Sequence, residues 1–137
     1  FDMLFHIVDD AAYARAIQNC YALTRPGGYF LMSEMLPHKR RHAVPHMVSR
    51  TLGEVSTLLT QTGFEIVDRR PMFVLMNYPV DAGTFAQLAW SAMAVPSFVS
   101  EAYGGLLGRA LLPIERRLLA SRRESPTTEI VLCRRPA

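Results

Sequence analysis

The sequence predicts an α/β protein, and two segments that lie one helix length apart carry most of that prediction. Residues 1–10 are typical of the end of a strand, and residues 25–34 of a tight turn followed by a buried strand. With a helix between them they form one repeat of a doubly wound sheet. Such sheets hold a nucleotide with a strand, a glycine-rich turn and a helix, which we expect before Phe1. We therefore expect the chain to be the carboxyl-terminal half of a domain.

Composition and charge narrow the class of protein. The chain has 137 residues, of which 50% are hydrophobic and 20% charged, as in one folded domain. Its net charge of +3 comes mainly from residues 38–50 and 109–123, and solvated basic loops explain such stretches better than a nucleic-acid site does. Cys20 and Cys133 lack zinc-binding spacing and predict two reduced thiols in a cytoplasmic protein. No apolar stretch reaches the roughly 20 residues of an integral membrane segment.

The first half of the chain has clear helix and strand signals. Asp9 and Asp10 are good caps for a first helix, which the Pro-Gly-Gly sequence at 26–28 ends. Residues 29–36 are almost continuously apolar, which predicts a central parallel strand covered on both faces. Its polar residues Ser33 and Glu34 lie near the carboxyl end, where ligands of open α/β sheets bind.

The second half predicts a strand, a helical insertion and a last strand. Residues 37–50 form a basic loop, after which a capping box at residues 51–54 begins a helix that ends at Gly63. Residues 64–70 are predicted as a strand with a bent continuation at 72–76. A helix that Asp81 could cap is expected at about 84–94, and another at about 98–120, with a break at Pro96 between them. A last strand follows at 127–133.

This order of elements, with its motifs, resembles the carboxyl-terminal half of a class I S-adenosylmethionine-dependent methyltransferase. The motifs are His6-x-x-Asp9, Pro26-Gly27-Gly28-Tyr29 and Gly63-Phe64, followed by a final strand at 128–134. The resemblance covers residues 1–79 and 125–135, whereas residues 80–124 resemble only the variable helical insertion of that family. It implies a Rossmann-like methyltransferase sheet, present here as its carboxyl-terminal half, with the helical insertion before the last strand.

The resemblance also implies a cofactor and a set of site residues. S-adenosyl-L-methionine is the methyl donor, and no metal is required. Phe1 and Asp2 are expected to line the cofactor, His6 to orient or deprotonate the acceptor, and Glu34 to contact it. Because the family's glycine-rich loop is expected before Phe1, we expect the segment alone to bind cofactor poorly and to be inactive.

Other residues carry alternative interpretations. His6 either acts in catalysis or packs against the following helix. Asn77 and Tyr78, at a strand end, either select the acceptor or cover the core edge. Histidines 38, 42 and 46 are four residues apart, but the prolines at 37 and 45 argue against a helix that would present them to a metal. A lid or a plain surface loop is the simpler interpretation.

One group of apolar residues bears on the acceptor. The group consists of Met72, Met76, Met93, Trp90 and Phe98. It forms either an adaptable apolar cavity or ordinary core, and a cavity would favour a small hydrophobic or aromatic metabolite as acceptor.

Three functions follow from the sequence. The first is a methyltransferase of small molecules, acting at oxygen, nitrogen or carbon. The second is a non-catalytic interaction module that pairs through an exposed sheet edge, in a homo-oligomer or with another chain. The third is a peripheral membrane protein that uses residues 85–120 and their flanking arginines.

Overall fold

Residues 3–137 fold into four helices, a three-stranded sheet and a short hairpin. The computed structural model describes residues 3–137, with the backbone alone for Ala43. The helices are α1 (Asp10–Leu23), α2 (Leu52–Thr62), α3 (Thr84–Ala94) and α4 (Glu101–Ser121). The strands are β1 (Tyr29–Glu34), β2 (Arg41–Val44), β3 (Met47–Ser49), β4 (Glu65–Pro71) and β5 (Glu129–Arg134). Short 3₁₀ turns occupy Leu4–His6 and Val95–Phe98.

The sheet has the order β1-β5-β4, and β5 is antiparallel to both of its neighbours. The strands β1 and β4 therefore run in the same direction, with α2 between them in the chain. The predicted α/β class is confirmed, as a mixed α/β protein with a small antiparallel sheet. The prediction of residues 29–36 as a central parallel strand is wrong, because β1 lies at an edge of the described sheet and pairs only with β5. The apolar run reports hydrophobicity and does not encode which strand becomes its neighbour.

The main core lies between one face of the sheet and the helices α1 and α2. Its buried side chains are Tyr13, Ile17, Met32, Leu36, Val55, Leu59, Phe64, Val131 and Cys133. On the opposite face of β1, Tyr29 and Leu31 are exposed. Met32, Ser33 and Glu34 are all buried, so the described chain covers both faces of β1 at its carboxyl end and only one face at its start, where the sequence predicted cover on both along the strand.

Local start and stop signals are confirmed at the first two helices. The carboxylate of Asp9 accepts a hydrogen bond from the N–H of Ala12 at 2.7 Å. Thr51 and Glu54 form the predicted reciprocal capping box. Gly63 follows α2 with φ of +105°, a left-handed conformation that favours glycine.

Two predictions about connecting segments are wrong. Residues 37–50 contain the hairpin β2–β3 where a loop was predicted. Residues 72–76 do not continue β4, because the Glu115 carboxylate of α4 accepts hydrogen bonds from the N–H groups of Val74 and Leu75, at 2.6 and 2.7 Å. A buried side chain thus replaces the strand partner that these backbone groups would otherwise need.

The helices α3 and α4 and the turn between them lie between β4 and β5 in the chain, and we call residues 84–121 the helical unit. The helix α4 begins at Glu101, because Ser100 caps it by accepting a hydrogen bond from the N–H of Tyr103. Pro113 lies inside α4 without ending it. Among residues 3–137, no helix combines the length and apolarity needed to cross a bilayer.

Candidate functional site

A cleft of about 210 Å³ opens where β1 and β4 end and β5 begins. It is lined by Leu36, Pro37, His38, Thr51, Leu52, Gly53, Arg69, Asp81, Glu124, Ser125 and Glu129. Open α/β sheets bind ligands beyond the carboxyl ends of their parallel strands. The strands β1 and β4 run in the same direction, so the cleft occupies the corresponding position.

His38 and Asp81 form a tied pair at this cleft. One Asp81 oxygen accepts a hydrogen bond from the backbone N–H of His38 at 3.0 Å, and the other pairs with the His38 ring nitrogen Nδ1. The hydrogen bond and the charge of Asp81 raise the pKa of His38. Because the carboxylate orients Nδ1 as the donor, the other ring nitrogen Nε2 is left to accept a proton.

Arg69 neutralises the acidic side of the cleft. Its guanidinium lies 2.7 Å from the Glu124 carboxylate and 3.3 Å from that of Glu129. Glu129 also accepts a hydrogen bond from the N–H of Ser125 at 2.8 Å. Burial raises the pKa of Glu129, against the lowering effect of that bond and of Arg69. The cleft is therefore polar, with three carboxylates beside one arginine and one histidine.

A second recess, beside the first, contains a network of charged side chains. Tyr13 donates a hydrogen bond to the buried Glu34 carboxylate at 3.1 Å, and the Arg50 guanidinium lies 3.9 Å from the centre of the Tyr13 ring. Arg50 and Arg40 both bind Asp10, with shortest distances of 2.7 Å. These bonds lower the pKa of Asp10, whereas burial and then Glu34 raise that of Tyr13. Glu34 thus lies inside the protein, bound to α1.

His6 lies on an exposed 3₁₀ turn against the β2–β3 hairpin. Its Nδ1 donates to the backbone carbonyl of His46 at 3.2 Å, and the two imidazole rings stack with centroids 5.8 Å apart. A carbonyl only accepts, so the proton is on Nδ1 and Nε2 carries the lone pair. The catalytic role of His6 stays a prediction. Its ring contacts Phe5 and His46, where the alternative interpretation predicted packing against the following helix.

Asn77 and Tyr78 lie in the segment between β4 and α3. The side-chain amide of Asn77 donates to the Thr128 hydroxyl at 3.1 Å, and its oxygen accepts from the N–H of Tyr78. The ring of Tyr78 is partly exposed and packs edge-on against Trp90. Asn77 therefore ties this segment to the start of β5, and Tyr78 faces the helical unit.

The segments that carry the predicted site residues meet at a small second core. Phe5, Met35 and Val80 form a buried cluster, with Met47 packed against it. Phe5 directly precedes His6, Met35 directly follows Glu34, and Val80 lies two residues after Tyr78. The structure thus brings three of the predicted segments together, while Phe1 and Asp2, expected to line the cofactor, lie outside the described residues.

The helical unit contains an apolar cavity of about 250 Å³. It is lined by Leu75, Met76, Trp90, Met93, Ala94, Ser97, Phe98, Gly104, Leu107, Gly108 and Leu111. Four of the five residues predicted to form such a cavity line it, and Met72 does not. The Trp90 N–H donates to the Leu75 carbonyl at 2.8 Å, so this polar group is already satisfied. The lining favours an apolar or aromatic group.

The three spaced histidines do not share a helix. His42 lies on β2, and His46 lies in the turn between β2 and β3. Among residues 3–137, no group of three or more His, Cys, Asp and Glu side chains is placed to hold a metal ion.

Sequence reasoning missed the pairing of His38 with Asp81 and the network around Arg50. His38 and Asp81 are 43 positions apart in the chain, and Arg50 and Asp10 are 40 positions apart. The available signal was weak: Asp81 was predicted only as a helix cap, and Arg50 only as part of a basic loop. In the structure Gly83, not Asp81, caps α3.

The sequence matches no known protein-family model, and no curated protein matches it at a significant level. The function of the protein is therefore inferred from the site and from the sequence motifs described above.

Proposed function

We propose that the chain is the acceptor-side half of an S-adenosylmethionine-dependent methyltransferase with a Rossmann-like sheet. The observation that carries the proposal is the polar cleft at the carboxyl ends of β1 and β4. The segments with His6, Glu34 and Asn77 meet at one small core, and Leu36 and Asp81, each next to a residue of that core in the chain, line the cleft. The motifs His6-x-x-Asp9 and Pro26-Gly27-Gly28-Tyr29 add support from the sequence.

The size of the cleft favours an acceptor over a whole cofactor. Ligand pockets are commonly about 300–1,000 Å³, whereas this cleft has about 210 Å³. It suits one reacting group with a few neighbouring atoms, and its carboxylates suit hydroxyl or amine hydrogens. By the resemblance, the cofactor itself is held by Phe1, Asp2 and the sequence before them.

The chemistry requires little of the described residues beyond positioning and proton transfer. S-adenosyl-L-methionine supplies a methyl group that its sulfonium already activates. The protein then has to orient the acceptor atom and exclude water. His6 presents a free Nε2 lone pair and is our proposed proton acceptor. The apolar cavity near Trp90 favours a small hydrophobic or aromatic metabolite.

The test uses the full-length protein and measures cofactor binding and methyl transfer separately. We expect calorimetry to show binding of S-adenosyl-L-methionine, and radiolabelled methyl transfer to small phenols, catechols or aromatic amines. His6→Ala is expected to lower turnover by about 10²–10⁴-fold, the range for loss of a general base, while cofactor affinity is retained. His42→Ala, at an exposed histidine of β2, is the matched control. Absence of cofactor binding would refute the methyltransferase, and unchanged turnover in His6→Ala would remove His6 from its mechanism.

A second candidate, an interaction module, is favoured by residues 29–32 of β1, which lie at the edge of the described sheet. Within residues 3–137 no strand pairs with the outer edge of β1, and Tyr29 and Leu31 are exposed beside it. An unpaired strand edge is a template for pairing with another strand. On this proposal the chain self-associates in analytical ultracentrifugation, and Leu31→Lys abolishes the association. Leu23→Lys, at an exposed leucine of α1, is the control, and a monomer at high concentration would refute the module.

A further inference from the structure

The helical unit has large apolar side chains on its surface. Those exposed are Phe85, Leu88, Val95, Phe98, Val99, Tyr103, Leu106, Leu112 and Ile114. No residue of α3 is buried. The turn between the helices is the most exposed part, with Phe98 at 83% and Val99 at 89% of their full accessible surface. Where exposed apolar side chains gather in one part of a protein, they mark an interaction site more often than isolated apolar residues do.

The helix α4 divides into a packed side and an exposed side. On the packed side, Gly104 lies against Ser97 and the buried Glu115 binds the backbone of residues 74–75. On the other side, Leu106, Arg109 and Pro113 are exposed, at helical spacings of three and four residues. This exposed side therefore combines apolar residues with arginines.

The exposed charges of the helical unit and of the two residues after it are almost all positive. Residues 84–123 contain two acidic residues, and one of these, Glu115, is buried and already hydrogen-bonded. Glu101 is the exposed acid. The exposed cations are Arg109, Arg116, Arg117, Arg122 and Arg123. Five positive charges against one negative charge give this surface a net charge of +4.

We propose that the helical unit binds the surface of an anionic lipid bilayer. The apolar side chains of α3 and of the turn enter the headgroup region, and the arginines of α4 contact the anionic headgroups. Interfacial helices combine these two features, apolar residues for burial and arginine or lysine for anionic lipid. Each arginine near such a surface contributes about 1 kcal/mol of attraction. A protein partner would cover the apolar residues without requiring this excess of arginine.

The test is co-sedimentation of the full chain with vesicles. Vesicles of phosphatidylcholine with phosphatidylglycerol are compared with vesicles of phosphatidylcholine alone, at low and at high salt. We expect binding to the anionic vesicles at least tenfold tighter than to the neutral ones, and a marked loss of that preference in high salt.

Two pairs of variants separate the apolar from the electrostatic contribution. Phe85→Ser with Val99→Ser is expected to weaken binding about tenfold. Arg116→Gln with Arg117→Gln is expected to weaken it by a similar factor on anionic vesicles alone. The matched controls are Leu23→Ser, at a leucine that is 88% exposed on α1, and Arg15→Gln, also on α1. Because all these positions are exposed, circular dichroism is expected to show that each variant remains folded.

Three results would overturn the proposal. One is equal binding to neutral and anionic vesicles, and another is weakening by Leu23→Ser as strong as that by the Phe85 and Val99 pair. The third is the absence of binding to any vesicle at low salt, although the full chain is folded. That result would favour a protein partner, in place of lipid, as the surface that covers the helical unit. None of these results depends on methyl transfer, so membrane binding and the proposed enzyme succeed or fail separately.

Discussion

His38 links two connecting segments of the protein through Asp81. Its backbone N–H and its ring both bind that carboxylate, which joins the segment after β1 to the segment before α3. The hydrogen bond and charge of Asp81 hold the pKa of His38 above the ordinary value of about 6.5. Asp81 thus stabilises the protonated form of His38 in the folded state, and this stabilisation is lost when the chain unfolds.

This pair predicts a pH dependence of stability. A histidine whose pKa is raised on folding stabilises the protein fully below its unfolded pKa, and the contribution is lost as the pH rises through the folded pKa. We expect the free energy of unfolding to fall as the pH rises above about 6.5, and Asp81→Asn to flatten that dependence. Urea unfolding at a series of pH values measures it, and NMR titration of the ring checks the pKa. His42→Gln is the control, and identical pH profiles for wild type and Asp81→Asn would contradict the assignment.

The roles of single residues differed in how well the sequence could predict them. Asp9 was predictable as a cap because its partner, the N–H of Ala12, lies three residues away. The role of Glu34 was not, because its contact with Tyr13 depends on how α1 packs on β1. The sequence shows which chemical groups a side chain carries. It predicts the hydrogen-bond partner of that side chain only when the partner lies a few residues away in the chain.

At the scale of elements, the two ends of α2 allow a matched comparison. Gly63 follows the helix with φ of +105°, and a Cβ there would lie 2.9 Å from the Tyr21 hydroxyl. Gly53 lies in the first turn of the same helix, and a Cβ there would meet no atom within 4 Å. The same substitution is therefore strained at one end and unhindered at the other.

We expect Gly63→Ala to lower the free energy of unfolding by about 1–3 kcal/mol, from backbone strain and the contact with Tyr21. Gly53→Ala is expected to raise it by about 0.4–1 kcal/mol, because alanine favours a helix and restricts the unfolded chain. Urea denaturation of both variants measures the pair. A stabilising Gly63→Ala would show that this turn adopts another conformation in solution.

Element boundaries were predictable where start and stop signals lie next to each other in the chain. The bounds of α3 agree with the prediction, and the capping box places the start of α2. The hairpin β2–β3 was missed because its strands are only four and three residues long. Such short strands carry too few positions for alternation of apolar and polar residues to appear.

At the scale of the whole molecule, the order of the strands was beyond the sequence. The apolar runs at 29–34 and 129–134 each predicted a strand, but their pairing joins residues about 100 positions apart. Hydrophobic patterning indicates which residues are buried, but it does not indicate which strands pair with each other. The cleft is formed by β1, β4 and β5 together. The sequence could therefore predict a site near the end of a strand, but not which residues line it.

The position of β5 has a consequence for biosynthesis. It follows β1 and β4 in the chain and is therefore made after them, yet within the described chain it is the partner shared by both. The backbone carbonyl and N–H of Arg135 then bind Gly27 and Gly28, at the turn that leads into β1. Residues 129–135 must therefore leave the ribosome before the three strands can pair. Until then, the edges of β1 and β4 that pair with β5 are exposed in the nascent chain. Exposed strand edges favour aggregation, which chaperones or rapid pairing with β5 would limit.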